Sequence, residues 1–261
     1  MINTAFAAGE EVVHKGLSIH LAPQVLTTMW GIPLTNTLLT AWFVVVFVIL
    51  LAMLANRKYR FTPSKPQVLI ELIVGGAFDY IAETLESRDL AKKFFPIIMT
   101  IFVFILSLNW IGLLPGVDSV GIYKLHEGHS VFTPLLHPAN TDLNVTFAFA
   151  LIAFITIEFA GIAILGFLKY GGKFINFSSP LAFIIGIIEF IGEMARLVSF
   201  SFRLFGNIFA GKTLLLVALF FVPFVVPVPI LAFEIFVGFI QALVFSILTL
   251  FFIKLAIAEA H

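Results

Sequence analysis

The fold class predicted by this sequence is an all-α polytopic membrane protein, and three observations carry the prediction. Of its 261 residues 61% are hydrophobic and only 11% charged, with a mean hydropathy of +1.10, whereas a soluble domain carries roughly 25% charged residues. Several apolar stretches reach the about 20 residues that a membrane-spanning helix needs. One helical pattern runs without a break from Pro180 to Val222, far longer than a single crossing requires. Five membrane-embedded helices and one interfacial amphipathic helix are therefore expected, in one membrane domain over residues 36–261. Residues 1–35 are expected to form an N-terminal extracytoplasmic segment.

The first span is Asn36–Ala55 (NTLLTAWFVVVFVILLAMLA), ended by the basic run 56–60. Residues 66–90 (PQVLIELIVGGAFDYIAETLESRDL) begin apolar but then carry Glu71, Asp79, Glu83, Glu86, Arg88 and Asp89, which makes a poor span. An amphipathic helix lying in the interface is expected there, with an ordinary solvent-facing helix as the alternative. The second span is Phe94–Leu114, closed by Pro115–Gly116, and the third is Val145–Leu168, ended by Lys169 and the glycine pair 171–172.

Residues 180–222 would make a helix of about 65 Å at 1.5 Å per residue, against a hydrocarbon core of about 30 Å. Gly206–Asn207 alone is too weak a turn signal to divide it. One helix tilted well beyond the usual ~20° is expected. A loop rich in proline and valine (223–229) follows, and the last helix, about 230–258, returns beside it to complete a long, strongly tilted hairpin.

Basic residues set the expected orientation. Arg57, Lys58, Arg60, Lys65, Arg88, Lys92 and Lys93 lie between the first two spans, and Lys169, Lys173 and Lys254 share their side. Only Lys15 and Lys124 fall opposite. The N-terminus is thus expected outside and the C-terminus in the cytoplasm. The first residues show no basic region followed by an apolar core, so no cleavable signal peptide is expected. The absence of cysteine excludes disulfides and thiolate metal sites, and zero formal charge suggests no nucleic-acid partner. His126, His129 and His137 share one loop and could reach a common ion, but no ligand-spacing motif accompanies them, so no metal or cofactor is expected.

Ionisable residues inside spans are functional candidates by default. Here they are Glu158, Glu189, Glu193, Arg196, Arg203, Lys212 and Glu234. Glu189, Arg196 and Arg203 recur every seven residues, and Glu193, Ser199 and Asn207 sit three or four from a member of that series, so all six share one helix face. Arg196 has Glu193 and Glu189 on its own helix. Arg203 has only Ser199, Phe200, Gly206 and Asn207 at three and four residues, so a carboxylate for it must come from another helix or another subunit. On the last helix Glu234, Gly238, Gln241, Ala242 and Thr249 share a rough face. A hairpin would bring Glu234 toward Lys212, either as a structural pair or as a proton relay, with Gln241 deeper, toward Arg203. Glu158 reads as a hydrogen-bonded structural carboxyl or as part of a functional path. Asn109, Asp118, Asp142 and Asn144 lie near the outer ends of the second and third spans.

SFRLFGNIFAG (201–211), followed about thirty residues later by FIQALVFSILTLFF (239–252), resembles subunit a of the F-type ATP synthase. FFPIIMTIFVFILSLNWIGLLPG (94–116) and TDLNVTFAFAL (141–151) resemble further blocks of that family in the same order. The resemblance implies a membrane stator subunit, non-catalytic in itself, that faces a ring of c subunits and contacts peripheral-stalk b subunits and membrane lipid within a large complex in a bacterial inner membrane. Ions would enter by an outer half-channel, neutralise a ring carboxylate, ride the rotation and leave by an inner one. Arg203 matches the family's essential arginine. Asn207, Lys212, Glu234 and Gln241 map along the outer half-channel, with Asn109, Asp118, Asp142 and Asn144 at its entrance. Glu189, Glu193 and Ser199 map near the inner half-channel, with Arg196 expected to shape the path. The family often has a Glu/His combination where this chain has Lys212 and Glu234. Proton coupling is the family default, and sodium coupling stays open because the ring largely sets the ion. The alternative function is a secondary transporter with a charged binding site at the midplane, although no internal repeat or broken helix is found.

Overall fold

A computed structural model describes residues 23–29, 31–56, 65–126, 129–174, 179–223 and 225–258. The expected extracytoplasmic segment up to residue 22, with Lys15, and the basic residues Arg57, Lys58 and Arg60 lie outside the described residues.

Among the described residues, five helices are long and apolar enough to cross a membrane. They are α1 (Asn36–Asn56), α3 (Arg88–Ile111), α4 (Leu143–Leu165), α6 (Pro180–Phe221) and α7 (Pro227–Ile257). Their ends follow from local chemistry. Ser87 Oγ accepts from Leu90 N–H at the start of α3. Asp142 Oδ1 caps α4 through Asn144 N–H at 2.9 Å, and Gly166 ends it at φ +85°, a left-handed conformation that suits glycine. Ser179 Oγ caps α6 at 3.1 Å, with Pro180 in the first turn, where its missing N–H costs nothing. No proline interrupts α6 afterwards, so its 42 residues extend about 63 Å at helical rise, as the unbroken pattern predicts.

The helix α2 (Lys65–Thr84) is the amphipathic segment. It stops earlier than expected, because Glu86 turns the chain at φ +53° and Ser87 opens α3 at once. The second span accordingly begins at Arg88 rather than near Phe94. The third span ends at Leu165 rather than Leu168, because Gly166 turns the chain, and a short helix, α5 (Phe167–Phe174), follows. It docks closely: a Cβ at Gly161 of α4 would overlap the Tyr170 ring, and one at Gly186 of α6 would overlap the Phe174 carbonyl.

Two small antiparallel hairpins, also unanticipated, decorate one end of the bundle. β1 (Val25–Met29) pairs with β2 (Ile32–Thr35), and β4 (Gly121–His126) pairs with β5 (His129–Pro134). The short strand β3 (Pro115–Asp118) precedes β4, with Asp118 N–H donating to Leu136 O. Lys124 Nζ bridges the hairpins by donating to the carbonyls of Val25 and Leu26. This end is called the hairpin side, and the end bearing α5 and Ala258 the C-terminal side.

The core follows the bundle axis. Near the hairpin side Val44, Leu108, Ile111 and Ala139 pack between α1, α3 and a 3-10 turn, Ala139–Thr141. At mid-length Ile101, Ile105, Ala150, Ala153, Phe200, Leu204, Ala242 and Phe245 join α3, α4, α6 and α7. Toward the C-terminal side Ile98, Ile157, Tyr170, Leu250 and Ile253 join with Ile81 and Leu85 of the α2 end. Outward faces are apolar, for example Trp42, Phe159, Ile188 and Phe236, as lipid contact requires.

Candidate functional site

Helix α6 carries the site, and its two ends are organised differently around Arg203. On the C-terminal side Glu193 is buried at 3% exposure and bonded by Arg196 Nη1 at 2.5 Å, one helical turn on. Lys173 of α5 reaches in as well, 2.7 Å from Glu189 Oε1 and 3.7 Å from Glu193 Oε1. Arg196 also lies over the Phe252 ring of α7, 3.7 Å from its centroid, a cation–π geometry. Tyr170 donates to Glu158 Oε2 at 3.1 Å, while Glu158 Oε1 is buried without a partner. A cavity of about 390 Å³ opens beside these groups, lined by Glu158, Glu193 and the side chains of Phe154, Phe174, Phe190 and Met194. The helical spacing foresaw the Glu189–Glu193–Arg196 stripe. Lys173 was legible only as a flanking basic residue, because the fold of α5 brings it there.

Arg203 lies near the middle of α6 and is exposed. Its neighbours are Ser199 Oγ at 3.4 Å from Nη2 and the Phe200 ring at 5.9 Å. Among the described residues no carboxylate comes within ion-pair distance of it, as its sequence neighbours predict. Asn207, half-buried, lies one turn toward the hairpin side.

On the hairpin side the expected Lys212–Glu234 pair is not formed. Lys212 Nζ donates instead to Asp118 Oδ2 at 2.9 Å and lies 3.2 and 3.4 Å from the two ring nitrogens of His137. His137 Nδ1 is 2.6 Å from Asp118 Oδ1. The reason is the loop between α3 and α4, which folds Asp118 and His137 over the end of α6 and offers Lys212 a carboxylate acceptor beside an imidazole ring. Burial pushes the Asp118 carboxyl up, but the His137 hydrogen bond and the Lys212 charge outweigh it and hold the group below its ordinary value. Glu234, 5% exposed, packs directly on Gly211, where any Cβ would overlap its carboxylate. It makes no hydrogen bond or ion pair among the described residues.

Deeper polar groups connect α3, the 3-10 turn and α7. Asn109 Nδ2 donates to Gly238 O at 2.9 Å, and Asn140 Nδ2 donates to Asn109 Oδ1 at 2.7 Å. Gln241 is 8% exposed, and its Nε2 is buried without a partner. Of the four residues expected at the entrance, Asn109 and Asp118 join these groups. Asp142 and Asn144 are engaged in the cap of α4: Thr37 Oγ1 donates to Asp142 Oδ2 at 2.8 Å, and Asn144 Nδ2 to Oδ1 at 3.0 Å. His137 is the residue that the spacing reading missed. Its companions in the loop trio, His126 and His129, face each other across β4 and β5 by backbone register, and their side chains lie outside the described residues.

Comparison with known proteins gives the family. The family model for the ATP synthase A chain matches residues 38–254. ATP synthase subunit a of Geotalea uraniireducens is 33% identical over 84% of this chain and 86% of its own length. Subunit a of Geotalea daltonii is 31% identical over 96% of this chain and 100% of its own, and that of Trichlorobacter lovleyi 33% over 87% and 89%. With five apolar helices of spanning length, the chain is an integral membrane protein, and it belongs to the ATP synthase A chain family.

Proposed function

We propose that this subunit conducts protons between two offset half-channels of a rotary ATP synthase and that Arg203 separates them. The observation that carries the reading is Arg203 itself: exposed, near the middle of a 42-residue helix, with no described carboxylate to answer it. A charge at that depth is costly unless paired, so its counter-charge comes from outside the chain, one ring carboxylate at a time. Arginine suits the role, because its guanidinium stays protonated where a buried lysine can lose its charge. It favours the ionised ring carboxylate and repels a proton that would pass straight between the half-channels.

Lys212, Glu234, Gln241, Asn207, Asn109 and Asp118 then belong to the outer path, with Asp142 and Asn144 shaping its mouth. Glu189, Glu193, Ser199 and Arg196 belong to the inner one. The hairpin side is outside and the C-terminus cytoplasmic, in keeping with the bias of basic residues. Family membership favours this reading over a secondary transporter.

The test is Arg203→Ala in the assembled complex. Truncating one partner of a desolvated charge pair costs roughly 2–5 kcal/mol, or about 30-fold to several thousand-fold at 1.4 kcal/mol per tenfold. Proton-driven ATP synthesis by membrane vesicles should fall by that much while the subunit stays in the complex. Synthesis within a few-fold of the parental rate would remove the arginine's role. Recovery of the chain alone in mild detergent, without ring or ATPase head, would remove the rotary reading.

A further inference from the structure

We propose that Asp118 and His137 are positioning residues for ion uptake: they hold the Lys212 ammonium away from Glu234, leaving that carboxylate free of a fixed counter-ion. The inference rests on the half-channel reading above and concerns its outer half.

Proximity alone would pair Lys212 with Glu234. The Glu234 carboxylate sits against the backbone of Gly211. The next Cα, that of Lys212, is about 3.8 Å further along, well within the reach of a four-carbon stem. Yet Nζ turns to the loop, to Asp118 at 2.9 Å and to the His137 ring, and no Lys212–Glu234 ion pair exists among the described residues.

The loop is built to win this competition. His137 is 2% exposed, and its backbone N–H donates to Thr40 Oγ1 at 3.0 Å. Asn36 Nδ2 donates to Pro134 O at 3.4 Å, just before it. The backbone that carries the imidazole is thereby fixed to α1. An ionised carboxylate only accepts hydrogen bonds, so the His137 nitrogen facing Asp118, Nδ1, carries the hydrogen. Lys212 Nζ is almost equidistant from Nδ1 and Nε2, at 3.2 and 3.4 Å, so the ammonium sits against the ring face. The Asp118 carboxylate thus accepts from the ammonium, while the imidazole that bonds to Asp118 packs against it.

The consequence falls on Glu234. An ammonium beside a carboxylate favours its ionised form and would leave it a poor proton carrier. With the cation held by the loop, Glu234 can accept a proton from the outer path and pass it on. Lys212 in this arrangement is neither relay nor strut to Glu234; it is a charge kept out of the way.

Paired substitutions test this in membranes holding the assembled complex, with Arg203→Ala and the parental complex run alongside. Asp118→Asn should lower proton-driven ATP synthesis about tenfold, the size of one unit in a carboxylate's affinity for protons. Adding Lys212→Gln to it should raise synthesis severalfold above Asp118→Asn alone, because the released cation is gone. His137→Ala, with and without Lys212→Gln, should repeat the pattern, and Asp118→Glu should retain most activity. A merely structural brace predicts the opposite, a double variant no better than the single, and that result overturns the proposal. So does loss of both Asp118→Asn and His137→Ala from the complex with no recovery on adding Lys212→Gln. A parental complex without proton-driven synthesis would fault the underlying reading instead. Active parental and inactive Arg203→Ala complexes with an unimproved double variant would fault this inference alone.

Discussion

The two ends of α6 both gather buried charge, but they neutralise it differently. On the C-terminal side Glu193 is answered twice, by Arg196 on its own helix and by Lys173 of α5. On the hairpin side Lys212 of α6 is taken by Asp118 and His137 from a loop more than seventy residues away in sequence, and Glu234 is left alone. Redundant pairing makes a durable polar wall. Exclusive pairing leaves one carboxylate unclaimed, which is what a site that binds and releases a proton needs. Arg203 stands between the two with no carboxylate partner among the described residues, so along α6 the neighbouring charge grades from doubly answered to unanswered.

The difference is sharpest at two glycines. A Cβ at Gly211 would overlap the Glu234 carboxylate, whereas one at Gly192, beside Glu193, meets nothing within 4 Å. Gly211→Ala should cost about 1–3 kcal/mol, the usual scale of overpacking. Gly192→Ala should be neutral or gain up to about 1 kcal/mol from helix propensity. Thermal release of the subunit from the detergent-solubilised complex measures both. Equal effects would mean that Glu234 does not seat on α6 as described.

Redundancy on the C-terminal side makes a second, smaller claim. Arg196→Gln leaves Glu193 with Lys173, and Lys173→Gln leaves it with Arg196, so each single change should be mild. Removing both strands a buried carboxylate, and the double variant should be worse than the sum of the singles by about 0.5–1 kcal/mol, within the coupling range of residues in one network. The sign is opposite to that expected for Asp118 and Lys212, where the second substitution relieves the first. Strict additivity in the same thermal-release measurement would show that Lys173 contributes nothing to Glu193.

The same contrast explains what could be read from the sequence. Five spans, the unbroken α6 and the Glu189–Glu193–Arg196 stripe all follow from apolar run lengths and from steps of three, four and seven residues, which a helix enforces locally. The unanswered Arg203 was legible for the same reason, since its near neighbours are fixed by helical geometry. Lys173 at Glu189 and His137 at Lys212 depend on where α5 and the α3–α4 loop fold back, and no local periodicity encodes that. The expected Lys212–Glu234 pair failed on this point: hairpin geometry brought the two helices together, but a distant loop supplied a better acceptor. Hairpins β1–β2 and β4–β5 were masked by the overall apolar character of the chain, although Lys124 and the prolines around them mark the places where a span cannot continue.

The smallest expected effect concerns acid. The Asp118 carboxyl is held below its ordinary value of 3.8, so the folded subunit binds that proton more weakly than the unfolded chain. A group shifted in this direction contributes its stabilisation fully above the unfolded value and loses it only as pH falls through the folded one. Between about pH 8 and pH 5, above the ordinary carboxylate range, Asp118 is ionised in both states and its contribution is constant. Comparing parental and Asp118→Asn complexes by thermal release across that window, each also carrying His137→Gln so that no imidazole beside Asp118 titrates, cancels the titrating groups that do not touch Asp118. The difference between them should therefore stay flat and begin to shrink only below about pH 4. A difference that already shrinks between pH 6 and pH 5 would mean that burial of Asp118 outweighs its two partners, and that the loop's hold on Lys212 is weaker than a 2.9 Å ion pair implies.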